Sequence, residues 1–347
     1  MLIWICWFLL IILGVMLPKS KIITFIILIF IFYVISTRND GIDYGSYANE
    51  YAYAVDQQLS DVHYVGWLMV EKLCLILNFD FVEFVVFIAF LCCGGLYFGV
   101  KNLTENINCV LSLFLIYPFG YEAVQMRTFL ADAIVLCGLP LILVNNEINK
   151  CQKLIGFGCI SFVASLVHFL ASFYFLVFIV VYSLPKRYVK HFVIATAIIL
   201  TIFLKIGILN NFLVLLNSRV EFWLSSIMGY GWVVPVFFTL GIFAIIFYSG
   251  SLLLQVNYGH FNLFENWLIA AYSIILLLPL FCIDATFDRL WRVFLILAFI
   301  SSSNVIYGKI DIKKKITLMF LLIITLGGIS FYESEFEILD HCFLGDF

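Results

Sequence analysis

The chain has 347 residues, of which 64% are hydrophobic and 12% charged, with a formal net charge of −3. Soluble domains are about 45–50% apolar and about 25% charged, so this composition excludes a water-soluble fold and indicates a membrane protein. A net charge this small says little about partners, and no nucleic-acid partner is expected.

Apolar runs recur from Leu2 to the turns before Tyr332. Each is close to the roughly 17–25 residues that cross a bilayer, or slightly shorter. They are continuous, whereas barrel strands alternate polar and apolar residues. The expected fold is therefore all-α, one integral membrane domain over residues 1–347 with about twelve transmembrane helices and an outer-face cavity. The spans fall near 2–17, 22–36, 80–100, 107–120, 127–144, 154–167, 168–184, 191–209, 232–256, 266–283, 290–308 and 316–331. The first run lacks a basic leader and a small-residue cleavage site, so it reads as a retained helix.

After the second run the character changes. Residues 37–79 form an external loop plus an interfacial helix, since the run from His63 to Asn78 carries Glu71 and Lys72 at its middle. Arg38 leaves the span, Asp40-Gly41 suggests a turn, and Asp43, Tyr44, Tyr47, Glu50 and Tyr51 follow. Helix after Gly45 would put Tyr47 and Tyr51 one turn apart on one face. Tyrosine offers a sugar ring an apolar plate and a hydroxyl, although an aromatic belt at the headgroups uses the same residues.

Further along, Arg127 and Asp132 open a span five residues apart, off a common helix face, so each needs another partner. His168 lies in about thirty apolar residues, too long for one crossing and right for two short ones, which puts it at an outer hairpin. Asp288, Arg289 and Arg292 begin a late span. The i, i+4 spacing of Asp288 and Arg292 allows a structural pair, and the i, i+3 spacing of Arg289 and Arg292 lets both face one ligand. Residues 332–347 form an acidic C-terminal tail, assigned to the outside. Eight of the ten cysteines lie in apolar runs without a C-x-x-C pair and read as small hydrophobes.

The cations then assign sides. Lys19, Lys21, Lys101, Lys150, Lys153, Lys186, Lys190 and the cluster Lys309, Lys313, Lys314 and Lys315 fall in alternate loops, which are cytoplasmic by the positive-inside rule. Arg38, Arg127, Arg219, Arg289 and Arg292 fall in the opposite loops, and Arg187 alone of the arginines falls on the lysine side. That rule predicts few cations there, so the outer arginines need another cause. An ionised group in a span costs about 2.5–3.5 kcal/mol on insertion scales. A charged hydrogen bond returns roughly 1.5–3 kcal/mol, so one or two phosphate contacts offset it. Guanidinium is a planar fork suited to phosphate; pairing with nearby acids or lipid headgroups is the alternative.

Arg38, Gly41, Asp43 and Tyr47, then MRTFLADAI around Arg127, SLVHFLA around His168, and the late RLWR stand in an order that resembles the Wzy/EpsG-type polysaccharide polymerases. The resemblance covers roughly residues 20 to 310, with Thr128 standing where the family suggests glutamine after the arginine. It implies a multi-pass glycosyltransferase of the bacterial inner membrane, joining polyprenyl-diphosphate-linked oligosaccharide repeats on the outer face. His168 or Asp43 would be catalytic, with Arg38, Arg127, Arg289, Arg292, Tyr47 and Tyr51 binding substrate and diphosphate. The implied partners are that lipid-linked oligosaccharide, membrane lipid and a chain-length regulator protein. No cofactor or metal is expected: the sequence has no D-x-D pair, no P-loop and no Cys/His set with zinc spacing. A ligase acting on the same lipid carrier shares these features. A flippase would place charges at mid-membrane and often shows repeats, and no internal repeat is seen.

Overall fold

The computed structural model describes residues 2–38, 42–58, 64–144, 148–208, 232–255, 264–283 and 285–344. In chain order the helices are α1 (Leu2–Met16), α2 (Lys21–Thr37), α3 (Ile42–Tyr53), α4 (Val65–Ile76), α5 (Phe81–Lys101) and α6 (Ile107–Ile116). They continue with α7 (Phe119–Val124), α8 (Met126–Leu143), α9 (Lys150–Val167), α10 (Ala171–Ser183) and α11 (Lys186–Lys205). The last are α12 (Val233–Gln255), α13 (Phe264–Ile275), α14 (Trp291–Ile306), α15 (Ile312–Tyr332) and α16 (Glu335–Leu344). The Asp40-Gly41 turn and Arg219 lie outside the described residues.

Seven of these helices, α5, α8, α9, α11, α12, α14 and α15, are long and apolar enough to cross a membrane, and α1, α2, α6 and α10 are shorter apolar helices. The expected run over 266–283 is not one helix. It stops at Ile275 and continues as turns and 3-10 segments, Leu280–Cys282 and Ala285–Leu290. Pro279 lies in this stretch, and a proline ring has no N–H to extend an α-helical ladder. Between the second and fifth helices the chain forms α3 and α4, the latter inside the stretch read as an interfacial helix.

Antiparallel alternation sorts the helix ends. At one end Lys19 pairs with Glu105 at 2.6 Å, Thr104 and Asn106 bond Asn304, and Lys150 reaches the Ser183 carbonyl. At the other end Arg38 begins the exit from α2, Arg127 sits in the first turn of α8, and Arg289 and Arg292 flank the start of α14. Among the described residues three cations break the partition: Lys72 on α4 and Lys205 at the close of α11 lie at the arginine end, and Arg187 in the first turn of α11 lies at the lysine end.

The core explains which helices are central. The span windows of α8 and α14 are 78% and 83% buried inside the bundle, against 28% for α9 and 22% for α11. Thus the two helices that present Arg127 and Arg292 are enclosed by protein, while α9 and α11 lie on the perimeter. Close approach of α5 to α8 depends on small residues: a Cβ on Gly95 would lie 2.8 Å from the Ala133 Cβ, and one on Gly99 2.7 Å from the Leu136 Cβ. Gly95 and Gly99 form a G-x-x-x-G stripe, which lets two backbones meet where the surroundings are as apolar as the side chains. Ahead of α5, Asp80 and Glu83 form a reciprocal capping box.

Candidate functional site

Two short helices at the arginine end build the wall around Arg127. On α3, Asp43, Tyr47 and Glu50 share a face by their i, i+4, i+7 spacing. On α4 and its N-cap, Tyr64, Trp67 and Glu71 do the same. Between them the Arg127 guanidinium lies 4.4 Å from the Tyr64 ring centroid, 5.1 Å from Tyr47 and 5.4 Å from Trp67. All three are within the range at which a ring quadrupole attracts a cation. Arg127 Nη2 also meets Glu50 Oε2 at 2.8 Å. Tyr47 is buried, and burial pushes its phenol up to about 12, with the Arg127 charge opposing and the Arg127 backbone N–H also facing it.

Glu71 stands behind this pair. It is 2% exposed and carries a carboxylate oxygen without a hydrogen bond. Burial first, and then the neighbouring Glu50 charge, raise its pKa to about 7. Trp67 Nε1–H and the Arg127 charge act in the opposite direction, although the indole and the carboxyl face each other without closing a hydrogen bond.

His168 joins the cluster from α9. It is the C-cap of that helix, in extended backbone, and Ala171 N–H bonds its carbonyl as α10 begins. The ring is 8% exposed and stacks on Tyr64, with centroids 5.5 Å apart and planes 15° from parallel. Its Nδ1 accepts from Leu170 N–H at 3.3 Å. In a neutral imidazole the other nitrogen, Nε2, then carries the proton and is a donor. Burial, followed by the charges of Arg289, Arg127 and Arg292, lowers the His168 pKa to about 3. The charges of Arg127 on α8, Arg289 in the 3-10 segment and Arg292 on α14 thus all act on this ring. A neutral imidazole this weakly basic is suited to donating a hydrogen bond rather than to the base role anticipated for it.

The remaining candidates separate. Arg289 is half-buried and its carbonyl accepts from the Tyr174 hydroxyl at 3.4 Å. Arg292 is 2% exposed and consumed inside the bundle: Nη2 donates to Gln125 Oε1 at 2.8 Å, Nη1 lies 3.7 Å from Glu122, and the guanidinium covers the Tyr121 ring at 5.3 Å. It is thus an internal counter-charge to Glu122, while Arg289 stands three residues earlier in the 3-10 segment that leads into α14. Arg38 is buried and its Nη1 donates to the Ala123 carbonyl at 2.9 Å, tying α2 to α7. Tyr51 is also structural: its hydroxyl donates to the Phe79 carbonyl at 2.8 Å and its ring packs on Phe81 and Phe84. The Tyr51 ring is thus packed within the protein. Asp43 is half-buried in the first turn of α3, close enough to act on Tyr47. Asp132, as its offset from Arg127 requires, has other neighbours, Glu122 and the Tyr174 hydroxyl.

The acidic tail is a docked helix. Glu335 is fully buried, and its Oε1 accepts from Gly120 N–H at 2.5 Å; the Tyr121 hydroxyl donates to the Glu333 carbonyl at 2.6 Å, and Trp4 bonds Asp340. Burial raises the Glu335 pKa to about 8. A recess of about 210 Å³ lined by Ala197, Ile198, Thr201, Ile202 and Leu278 holds none of the candidate residues and is not the expected outer-face cavity. Among the described residues no group of three or more His, Cys, Asp or Glu is placed to hold a metal ion.

Sequence reasoning missed Glu50, Tyr64, Trp67 and Glu71 as neighbours of Arg127. The spacings 43–47–50 and 64–67–71 carried the signal, each a helical stripe of polar and aromatic residues in segments read as external. Searches of curated proteins and of solved structures return no match. The cluster of arginines and histidine at one end of a helical bundle nevertheless lies wholly inside a region of recognised relationship: a sequence model of the EpsG family matches residues 21–335, and the chain belongs to that family.

Proposed function

We propose that this multi-pass protein is an exopolysaccharide or O-antigen polymerase, a glycosyltransferase that joins polyprenyl-diphosphate-linked oligosaccharide repeats at the outer face of a bacterial inner membrane. EpsG family membership supports the class. The observation that carries the reaction type is the gathering of Arg127, Arg289 and His168 at the helix ends opposite most of the lysines.

In this reading Arg127 and Arg289 hold the diphosphate of the donor. The bond between the anomeric carbon and the diphosphate oxygen breaks, and the electron pair leaves on the diphosphate, where guanidinium charge stabilises it. An acceptor hydroxyl of the next lipid-linked unit forms the new bond to that carbon. Its proton passes to a carboxylate, for which Asp43 in the first turn of α3 is the candidate. His168, neutral, donates from Nε2 to a substrate oxygen, and the Tyr47 ring packs beside the Arg127 guanidinium that holds the phosphate.

Deletion of the gene followed by glycan gels tests the function. A polymerase leaves glycans capped at a single repeat; absence of attached glycan indicates a ligase, and lipid-linked units retained on the inner face indicate a flippase. Arg127→Lys keeps charge but removes the fork, so turnover should fall about ten- to hundredfold, the equivalent of one charged hydrogen bond. Full-length polymer from that variant would contradict the assignment.

A further inference from the structure

Arg127 is the residue given the diphosphate above, and its guanidinium already holds an anion. Tyr47, Tyr64 and Trp67 pack about it, so the Glu50 carboxylate is the polar partner at its rim. We propose that Glu50 is a resident counter-anion of Arg127 that a diphosphate displaces on binding, a positioning residue that keeps the fork aligned until substrate arrives. The inference rests on the diphosphate reading of Arg127.

Three observations support exchange over a permanent pair. First, the contact is through Nη2 alone at 2.8 Å, so only one arm of a two-armed fork is used. A diphosphate, with more oxygens and more charge, can engage both arms. Second, the Glu50 side chain is 36% exposed against 11% for Arg127, so one partner is anchored while the other borders solvent. Partly exposed ion pairs are weak and exchange readily. Third, α3 is fixed by other residues, with Tyr51 bonded to Phe79 and Tyr47 packed on Trp67, so Glu50 can rotate away without moving the helix. Glu71 is buried next to the pair whereas Glu50 borders solvent, so the open path for a released carboxylate is outward.

The test is a binding titration of the purified full-length chain in lipid nanodiscs with geranylgeranyl diphosphate, and in parallel with inorganic pyrophosphate. Removing the competitor frees the fork, so Glu50→Gln should bind both probes about tenfold more tightly, while Arg127→Gln and the double variant lose binding. Glu50→Asp, which keeps the charge but shortens its reach, should tighten binding in the same direction and stands in if Glu50→Gln does not fold. Equal or weaker binding by Glu50→Gln, or by Glu50→Asp where it stands in, with Arg127 still required, overturns the exchange and leaves the reading of Arg127 intact. Tightening confined to the lipid probe also overturns it, since exchange takes place at the phosphates. Equal binding by wild type and Arg127→Gln overturns both.

Discussion

Glu71 and His168 place opposite titrations within one cluster. The Glu71 carboxyl, ordinarily near 4.5, is raised to about 7, so between these values the folded chain keeps a proton that the unfolded chain releases. Stability therefore falls as pH rises through that window. Glu71→Gln removes this loss, and its Tm should exceed wild type at pH 8 while matching it near pH 4, measured by thermal unfolding in detergent. An equal Tm difference at both values would show that the carboxyl does not titrate there. His168 works the other way: its pKa drops from 6.5 to about 3, so the unfolded chain takes the proton first and stability is lost as pH falls below about 6.5. With its nearest charges three arginines, the ring is held neutral across the range in which a cell works.

At the scale of elements, two contacts deliver the site. The G-x-x-x-G stripe of α5 seats α8, which carries Arg127 in its first turn. Gly99→Leu would force side-chain atoms into the Leu136 backbone, whose carbonyl oxygen would lie 3.1 Å from a Cβ at residue 99, and overpacking of this kind costs about 1–3 kcal/mol. Its Tm should drop, and turnover with it, because α8 must shift. Gly94→Ala is the control: nothing lies within 4 Å of its Cβ position and alanine is the better helix former, so it should unfold at or above the wild-type temperature. Comparable losses in both would rule out packing against α8 as the cause. The second contact is α4 on α9, where a Cβ on Gly66 would lie 2.8 Å from the Leu166 backbone. That approach brings Trp67 to Arg127 and Tyr64 to His168, so one glycine sets the distance between two walls of the cluster.

For the whole molecule, the alternation of spans separates a lysine-bearing end from an arginine-bearing end. Cys151 is exposed beside Lys150 at the first, and Ser46 is exposed on α3 at the second. In a chain whose other cysteines are replaced, a membrane-impermeant maleimide should label Cys151 only in inverted vesicles. The Ser46→Cys variant, with Cys151 also replaced, should react only in right-side-out cells. Labelling of both from one side would refute the topology. Docking of α16 completes the arginine end: Glu335 closes on α7, whose Glu122 meets Arg292, so the last helix supports the interior charges from outside.

The sequence by itself determined the all-helical membrane architecture, the break at His168 and the end of the bundle at which each described arginine falls. These follow from local run length, hydropathy and charge, which need no knowledge of neighbours. It did not show that the apolar run over 266–283 is broken, since composition does not reveal that the helix stops at Ile275 and that turns and a 3-10 segment follow. Only the tertiary structure decided what each arginine does. Arg127 meets a carboxylate 77 residues away and Arg292 an amide 167 residues away, and no local pattern encodes such pairings. Likewise Tyr47 and Tyr51 are one turn apart with the same chemistry, yet one faces Arg127 and the other a backbone carbonyl, because the helices packed around α3 differ from turn to turn.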